Sequence, residues 1–250
     1  MHIGLYVIGD EILSGKRQDK HLANVSELLK ERGLQLSWVK FLGDDLDILI
    51  NEFKQSFSAD SLVFSCGGIG GTPDDLTRLA VAKALDTVTE IHAQGLQLLY
   101  DHIEQFNGGI TEQRKRMVEF PKGARLIPNP INHVPGFSMQ QHYFVPGFPK
   151  MAKPMIEWVL ESHYADLYDK NYVEWSLKLH EVPESHIADL MTELQDNYQV
   201  KVFSLPRFVD DSYQIELGLK GHKDKVSAAR DKLQTVIKER GYKNSSLENS

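Results

Sequence analysis

The segment SCGGIGGTPDDLTRLAVAKAL, Ser65 to Leu85, decides how this chain folds. An apolar run beginning at Ser61 ends at Cys66. Glycines follow at 67, 68, 70 and 71, then Thr72-Pro73-Asp74-Asp75, then apolar residues at helical spacing. A buried strand passing through a glycine turn into a helix is the unit from which α/β proteins are built. Pro73 suits the first turn of the predicted helix, where its missing N–H costs nothing, and Asp74 and Asp75 suit that helix's positive end. Glycine lets backbone approach a ligand closely, and a helix start favours an anion, so the turn from Gly67 to Thr72 fits a phosphate or diphosphate.

On either side the same alternation continues. Ile3 to Ile8 reads as a strand, Asp19 to Gly33 as a helix, Leu34 to Gly43 as a strand and Asp47 to Phe57 as a helix. Beyond Leu85, Gln94 to Phe106 is helical, Phe120 to Met155 is rich in Pro and Gly and reads as short strands on rigid turns, and Met155 to Tyr164 closes with a helix. Past Asp169 the pattern becomes strand, helix, two strands around Asp210-Asp211, and a last helix. The spacing predicts an α/β domain over residues 1–168 with a mostly parallel sheet, a small α+β domain over 169–243 and a disordered tail over 244–250.

The 250 residues, 41% hydrophobic and 25% charged, suffice for one large or two modest domains with buried cores. A net charge of -7 gives no electrostatic reason to expect nucleic-acid or anionic-membrane binding, although the last fifty residues are net basic. One cysteine excludes an internal disulfide and a Cys-rich zinc site. The opening MHIGLYVIGDEIL has no basic segment before its apolar run, and no stretch is long and apolar enough to span a membrane; the expectation is a cytoplasmic protein.

Two strand-ending loops carry candidate chemistry, since ligands of open α/β sheets sit beyond the carboxyl ends of the strands. One is the glycine turn; the other is GDEILSGKRQDKH after the first strand. Asp10, Glu11, Asp74 and Asp75 would repel a bare phosphate, and make sense if a divalent cation bridges carboxylate and phosphate oxygens. The bland alternatives are helix-end and turn-capping acids. GxGxxG and GxxxxGK[ST] are both absent, which removes the direct dinucleotide and P-loop readings. Cys66 reads as a buried structural thiol, and GLKG from Gly218 follows a strand rather than linking two helices as in RNA-binding KH modules.

IGDEILSGKRQDKH together with SCGGIGGTPDDLTRLAVAKAL resembles the MoaB/Mog-like molybdopterin-binding domain family, in the form found at the N-terminal part of competence/damage-inducible protein A (CinA) and, less closely, of FAD synthase. The resemblance covers about residues 1 to 165. The following module is similar to the small domain next to it in that family, and the deamidase domain often found after it is not expected within these 250 residues. It implies a three-layer α/β/α domain with both motifs facing one pocket, and a phosphorylated pterin (molybdopterin) or nucleotide as ligand. The implied chemistry is nucleotidyl transfer or metal-dependent hydrolysis of an ADP-ribose- or FAD-type diphosphate with Mg²⁺, Mn²⁺ or Co²⁺. Carried over by position, Asp75, Asp10 and Glu11 would be catalytic, with Asp10 and Asp75 on the metal. Gly9, Ser14, Gly15, Gly67, Gly68, Gly70, Gly71, Thr72, Asp74, Pro135, Gly136, Pro146 and Gly147 would bind the ligand. Three positions depart from the family: Gly71 replaces Pro, His133 replaces Thr in NHVPG, and Lys150 stands in PGFPKM where relatives have an acid nearby. A non-catalytic ligand-binding or partner-docking module is the alternative. The resemblance also implies a homo-oligomer, taken as a dimer, for which Phe137, Tyr143 and Phe148 offer a surface.

Overall fold

The computed structural model describes residues 2–105, 109–209 and 212–246, and the chain divides into two compact units, 1–168 and 169–250. In the first, β1 (His2–Ile8) leads through α1 (Asp10–Leu13) to α2 (His21–Lys30), β2 (Trp38–Leu42), α3 (Leu46–Phe57), β3 (Ser61–Cys66) and α4 (Thr77–Ala84). A two-stranded excursion, β4 (Thr89–Ile91) with β5 (Glu119–Pro121), brackets α5 (Ala93–Asp101) and α6 (Glu112–Arg116). Then come β6 (Arg125–Ile127), β7 (Gly136–Met139), β8 (His142–Val145) and α7 (Pro149–His163).

The main sheet runs β2-β1-β3-β8-β7-β6. β2, β1, β3 and β8 are mutually parallel; at one edge β7 pairs antiparallel with β8, and β6 pairs antiparallel with β7. Helices cover both faces, which is why β1 and β3 are apolar without alternation. Ile3, Leu5 and Val7 of β1 join Phe64 and Cys66 against α2 and α7, through Val25, Leu29, Met155 and Val159. Tyr6 and Ile8 join Val63 and Phe144 against α3 and α4, through Leu49, Phe53, Ala80 and Val81. The result is three layers, α/β/α, with a mostly parallel sheet.

Three local expectations change. The helix expected from Pro73 begins at Thr77, so no acid lies in its first turn. Helix α7 starts at Pro149 and runs through Pro154. Phe137 and Tyr143, expected on a surface, are buried in the sheet at 0% and 6% exposure, and only Phe148 is exposed.

The second unit contains β9 (Tyr172–His180), α8 (Ala188–Tyr198), β10 (Lys201–Val209), β11 (Ser212–His222), α9 (Lys223–Glu239) and β12 (Asn244–Ser246). Its antiparallel sheet, ordered β10-β11-β9-β12, packs Leu177, Leu179, Leu217 and Leu219 on Leu190, Leu194, Ala229 and Leu233 of α8 and α9. Gly218 and Gly221 of GLKG lie within β11, and the ring of Phe203 fills the space a side chain at Gly218 would need. Asn244 to Ser246, expected as the start of a free tail, pair with β9 instead, Asn244 opposite Leu179. The Asp210-Asp211 turn and residues 247–250 lie outside the described residues.

Candidate functional site

At the carboxyl ends of the parallel strands, loops after β1, β2, β3 and β8, joined by the segment before β7, enclose a cavity of about 410 Å³. The glycine turn is its floor, and the local sequence explains its shape. Gly67 has φ +111° and Gly68 φ +67°, values that side chains other than glycine rarely take; a Cβ at Gly67 would strike the Ile8 carbonyl, and one at Gly68 the Thr77 hydroxyl. Below the turn, Thr77 Oγ1 donates to the Gly67 carbonyl at 3.0 Å, Thr77 N–H to the Gly68 carbonyl at 3.0 Å, and the buried Arg78 guanidinium to the Ile69 carbonyl.

Asp75 closes the turn from above. Its Oδ1 accepts the Gly70 N–H at 2.7 Å, and its Oδ2 accepts the Thr72 N–H at 2.8 Å and the Thr72 hydroxyl at 2.6 Å. Gly67 N–H donates to Val145. Among the described residues, the N–H groups of Gly68, Ile69 and Gly71 have no acceptor. The turn is therefore held rigid by its own side chains and keeps backbone donors in reserve.

Acids rim the cavity. Asp10 and Asp44 exchange hydrogen bonds, Asp10 N–H to Asp44 Oδ2 at 3.0 Å and Asp44 N–H to Asp10 Oδ1 at 3.2 Å. Of this pair Asp44 lines the cavity and Asp10 does not. Burial, with further repulsion from Asp10, Glu11 and Asp74, raises the Asp44 carboxyl above its ordinary range. Arg17 supplies a cation, its Nη1 3.7 Å from Glu11 Oε1. Ile69, Met117, Val134, Phe148 and Met151 make the remaining wall apolar.

Of the residues singled out from sequence, Gly9, Glu11, Gly67, Gly68, Gly70, Gly71, Thr72, Asp74, Asp75, Pro135, Pro146 and Gly147 line this cavity. Asp10, Ser14, Gly15 and Gly136 do not. Asp10 faces the Asp44 loop, Ser14 and Gly15 are exposed beyond α1, and Gly136 is buried in β7, where a Cβ would strike the Phe144 carbonyl. Among the described residues no group of three or more His, Cys, Asp or Glu is arranged to hold a metal ion. Of the family departures only Gly71 touches the cavity. His133, at φ +60°, stacks on His102 with ring centroids 3.9 Å apart, and Lys150 sits in α7 off the wall. Asp44 is not among the residues singled out from sequence, and Phe148, expected on an oligomer surface, lines the cavity. The signal for Asp44 was there, because Asp44-Asp45 follows β2 as Asp10-Glu11 follows β1.

Residues 4–165, which hold every wall of this cavity, match the family model described as "Probable molybdopterin binding domain". The chain belongs to this molybdopterin-binding domain family. It is 28% identical over 201 residues to a competence-damage inducible protein of Clostridium botulinum strain Loch Maree, covering 79% of this chain and 49% of that one. It is 30% identical over 199 residues to a CinA-like protein of Citrifermentans bemidjiense, covering 76% and 47%. The chain thus spans about half the length of these curated relatives. The crystal structure of the protein CinA, of unknown function, from Thermoplasma acidophilum superposes with a TM-score of 0.57 at 26% identity, covering 64% of this chain and 96% of that one. The molybdopterin-binding domain is the first unit; the second lies outside the matched residues.

Proposed function

We propose that the molybdopterin-binding domain of this chain holds a small phosphorylated ligand of the pterin or nucleotide class, its phosphate lying on the glycine turn. The observation that carries this reading is the division of backbone donors: Asp75 takes those of Gly70 and Thr72 and leaves Gly68, Ile69 and Gly71 unclaimed. Unclaimed backbone donors on a glycine turn suit phosphate oxygens. Phe148, 59% exposed on the cavity wall, offers a face for a heterocyclic ring. Glu11, Asp44 and Asp74 oppose a bare anion, which a divalent cation, Mg²⁺, Mn²⁺ or Co²⁺, brought in with the ligand would offset. The two acids the family resemblance assigns to such an ion do not fit it here, since Asp10 lies off the cavity and both Asp75 oxygens are taken by the loop. Self-association as a dimer is part of the same reading and is checked by light scattering.

A second reading is ligand holding without turnover. It is favoured by Asp75, whose oxygens are both committed to the loop. The test for both is thermal-shift screening of ADP-ribose, FAD and pterins with and without each metal, followed by assay for released mononucleotide. A ligand that binds the folded state raises the melting temperature. Metal-dependent stabilisation with product supports hydrolysis; stabilisation without product supports holding; no shift with any combination overturns the assignment.

A further inference from the structure

We propose that the first unit carries a second small-molecule site, at the opposite end of β8 from the glycine turn, shaped for a planar aromatic carboxylate. A cavity of about 570 Å³ opens there. One wall is aromatic. Trp158 and His163 of α7 meet edge to face at 5.4 Å, Tyr143 stacks near His163 at 6.1 Å, and the Tyr143 and Tyr164 hydroxyls hydrogen-bond at 2.9 Å. Trp158 stays 37% exposed, a large ring held against its neighbours but uncovered on the cavity side.

The rest of the lining mixes Leu126, Ile127 and Met139 with a polar pair set by sheet register. Arg125 pairs with Ser138 across β6 and β7, and Ser138 pairs with Tyr143 across β7 and β8, so the three form one row on one face. The Arg125 guanidinium has no ion-pair or hydrogen-bond partner among the described residues, whereas those of Arg17, Arg32, Arg207, Arg230 and Arg240 all face acids. The Ser138 hydroxyl, on a residue 9% exposed, is likewise without a partner among them. A guanidinium presents a planar fork that matches a carboxylate, with the serine hydroxyl as a further donor. Next to it, from Tyr143 onward, the rings of Tyr143, His163 and Trp158 offer the face or edge a flat ring needs. A ligand with both features satisfies the polar pair and the rings at once.

Ligand-observed saturation-transfer NMR with indole-3-carboxylate and neutral indole-3-carboxamide tests this. The carboxylate is expected to bind saturably and more tightly than the carboxamide. Arg125→Gln should weaken the carboxylate by at least about tenfold and leave the carboxamide unchanged, as befits loss of a charge-assisted pair. Trp158→Ala should weaken both. Since the Arg125 side chain bonds to no described residue and its backbone pairing in β6 is untouched, Arg125→Gln should melt like the parent, so lost binding is not lost folding. Equal affinity for the two probes, no saturable binding, or indifference to Arg125→Gln overturns the site. So does a dimer that Trp158→Ala dissociates, because a second copy would then cover the cavity.

Discussion

Asp75 does a different job from the one its position suggests. As a helix-end acid it would tolerate Asn at a cost of only tenths of a kcal/mol. In the structure its two oxygens receive three donors from Gly70 and Thr72, and an amide would turn an NH₂ group toward at least one of them. Asp75→Asn is therefore expected to lose about 1–2 kcal/mol in urea unfolding. It should also weaken the phosphorylated ligand even without metal, because the turn that carries the unclaimed donors would lose its brace. Unchanged stability together with unchanged binding would show that the carboxylate does not hold the turn. Gly70→Val should act through the same residue, since a Cβ at Gly70 would lie 2.5 Å from Asp75 Oδ2.

Among the elements, β8 carries a buried titratable group. His142 at its start is 2% exposed, its Nε2 lies 2.9 Å from Ser56 Oγ, its ring is 4.0 Å from that of Phe57, and burial lowers its pKa to about 3. The unfolded chain takes up this proton near pH 6.5 and the folded chain does not. The full contribution is thus present above about 6.5 and falls by up to about 1.4 kcal/mol per pH unit as the pH drops toward 3. In urea unfolding between pH 7 and 4.5, His142→Gln should show a shallower loss than the parent; parallel curves would rule the residue out as the source. The elements themselves were largely legible. β1, β3 and α2 announce themselves by apolar runs and helical spacing, and the first cavity by glycines and acids after strands. The start of α4 was misplaced because Pro73 imitates a helix start while the turn needs Asp75 for itself. The start of α7 was hidden by Pro154, and Phe137 and Tyr143 by a Pro/Gly context that reads as surface. β12 was hidden by its composition: Asn-Ser-Ser has no apolar signal, and only the edge of β9 orders it.

For the molecule as a whole, the exposed Lys170 lies just past the division at 168/169 and ahead of β9. Brief trypsin treatment should cut there first and release two folded fragments; a first cut at Arg78 or Lys83 would contradict the layered arrangement. Among the described residues no helix is long and apolar enough to cross a membrane. The one cysteine gives this chain a built-in clock. Cys66 sits at 0% exposure at the foot of the glycine turn, and burial raises its thiol pKa so that little reactive thiolate forms. A thiol reagent added under native conditions can react only when the sheet around β3 opens. The labelling rate then counts those openings one molecule at a time, without any denaturant, and its slowing by a candidate metabolite would measure how firmly that metabolite keeps the fold shut.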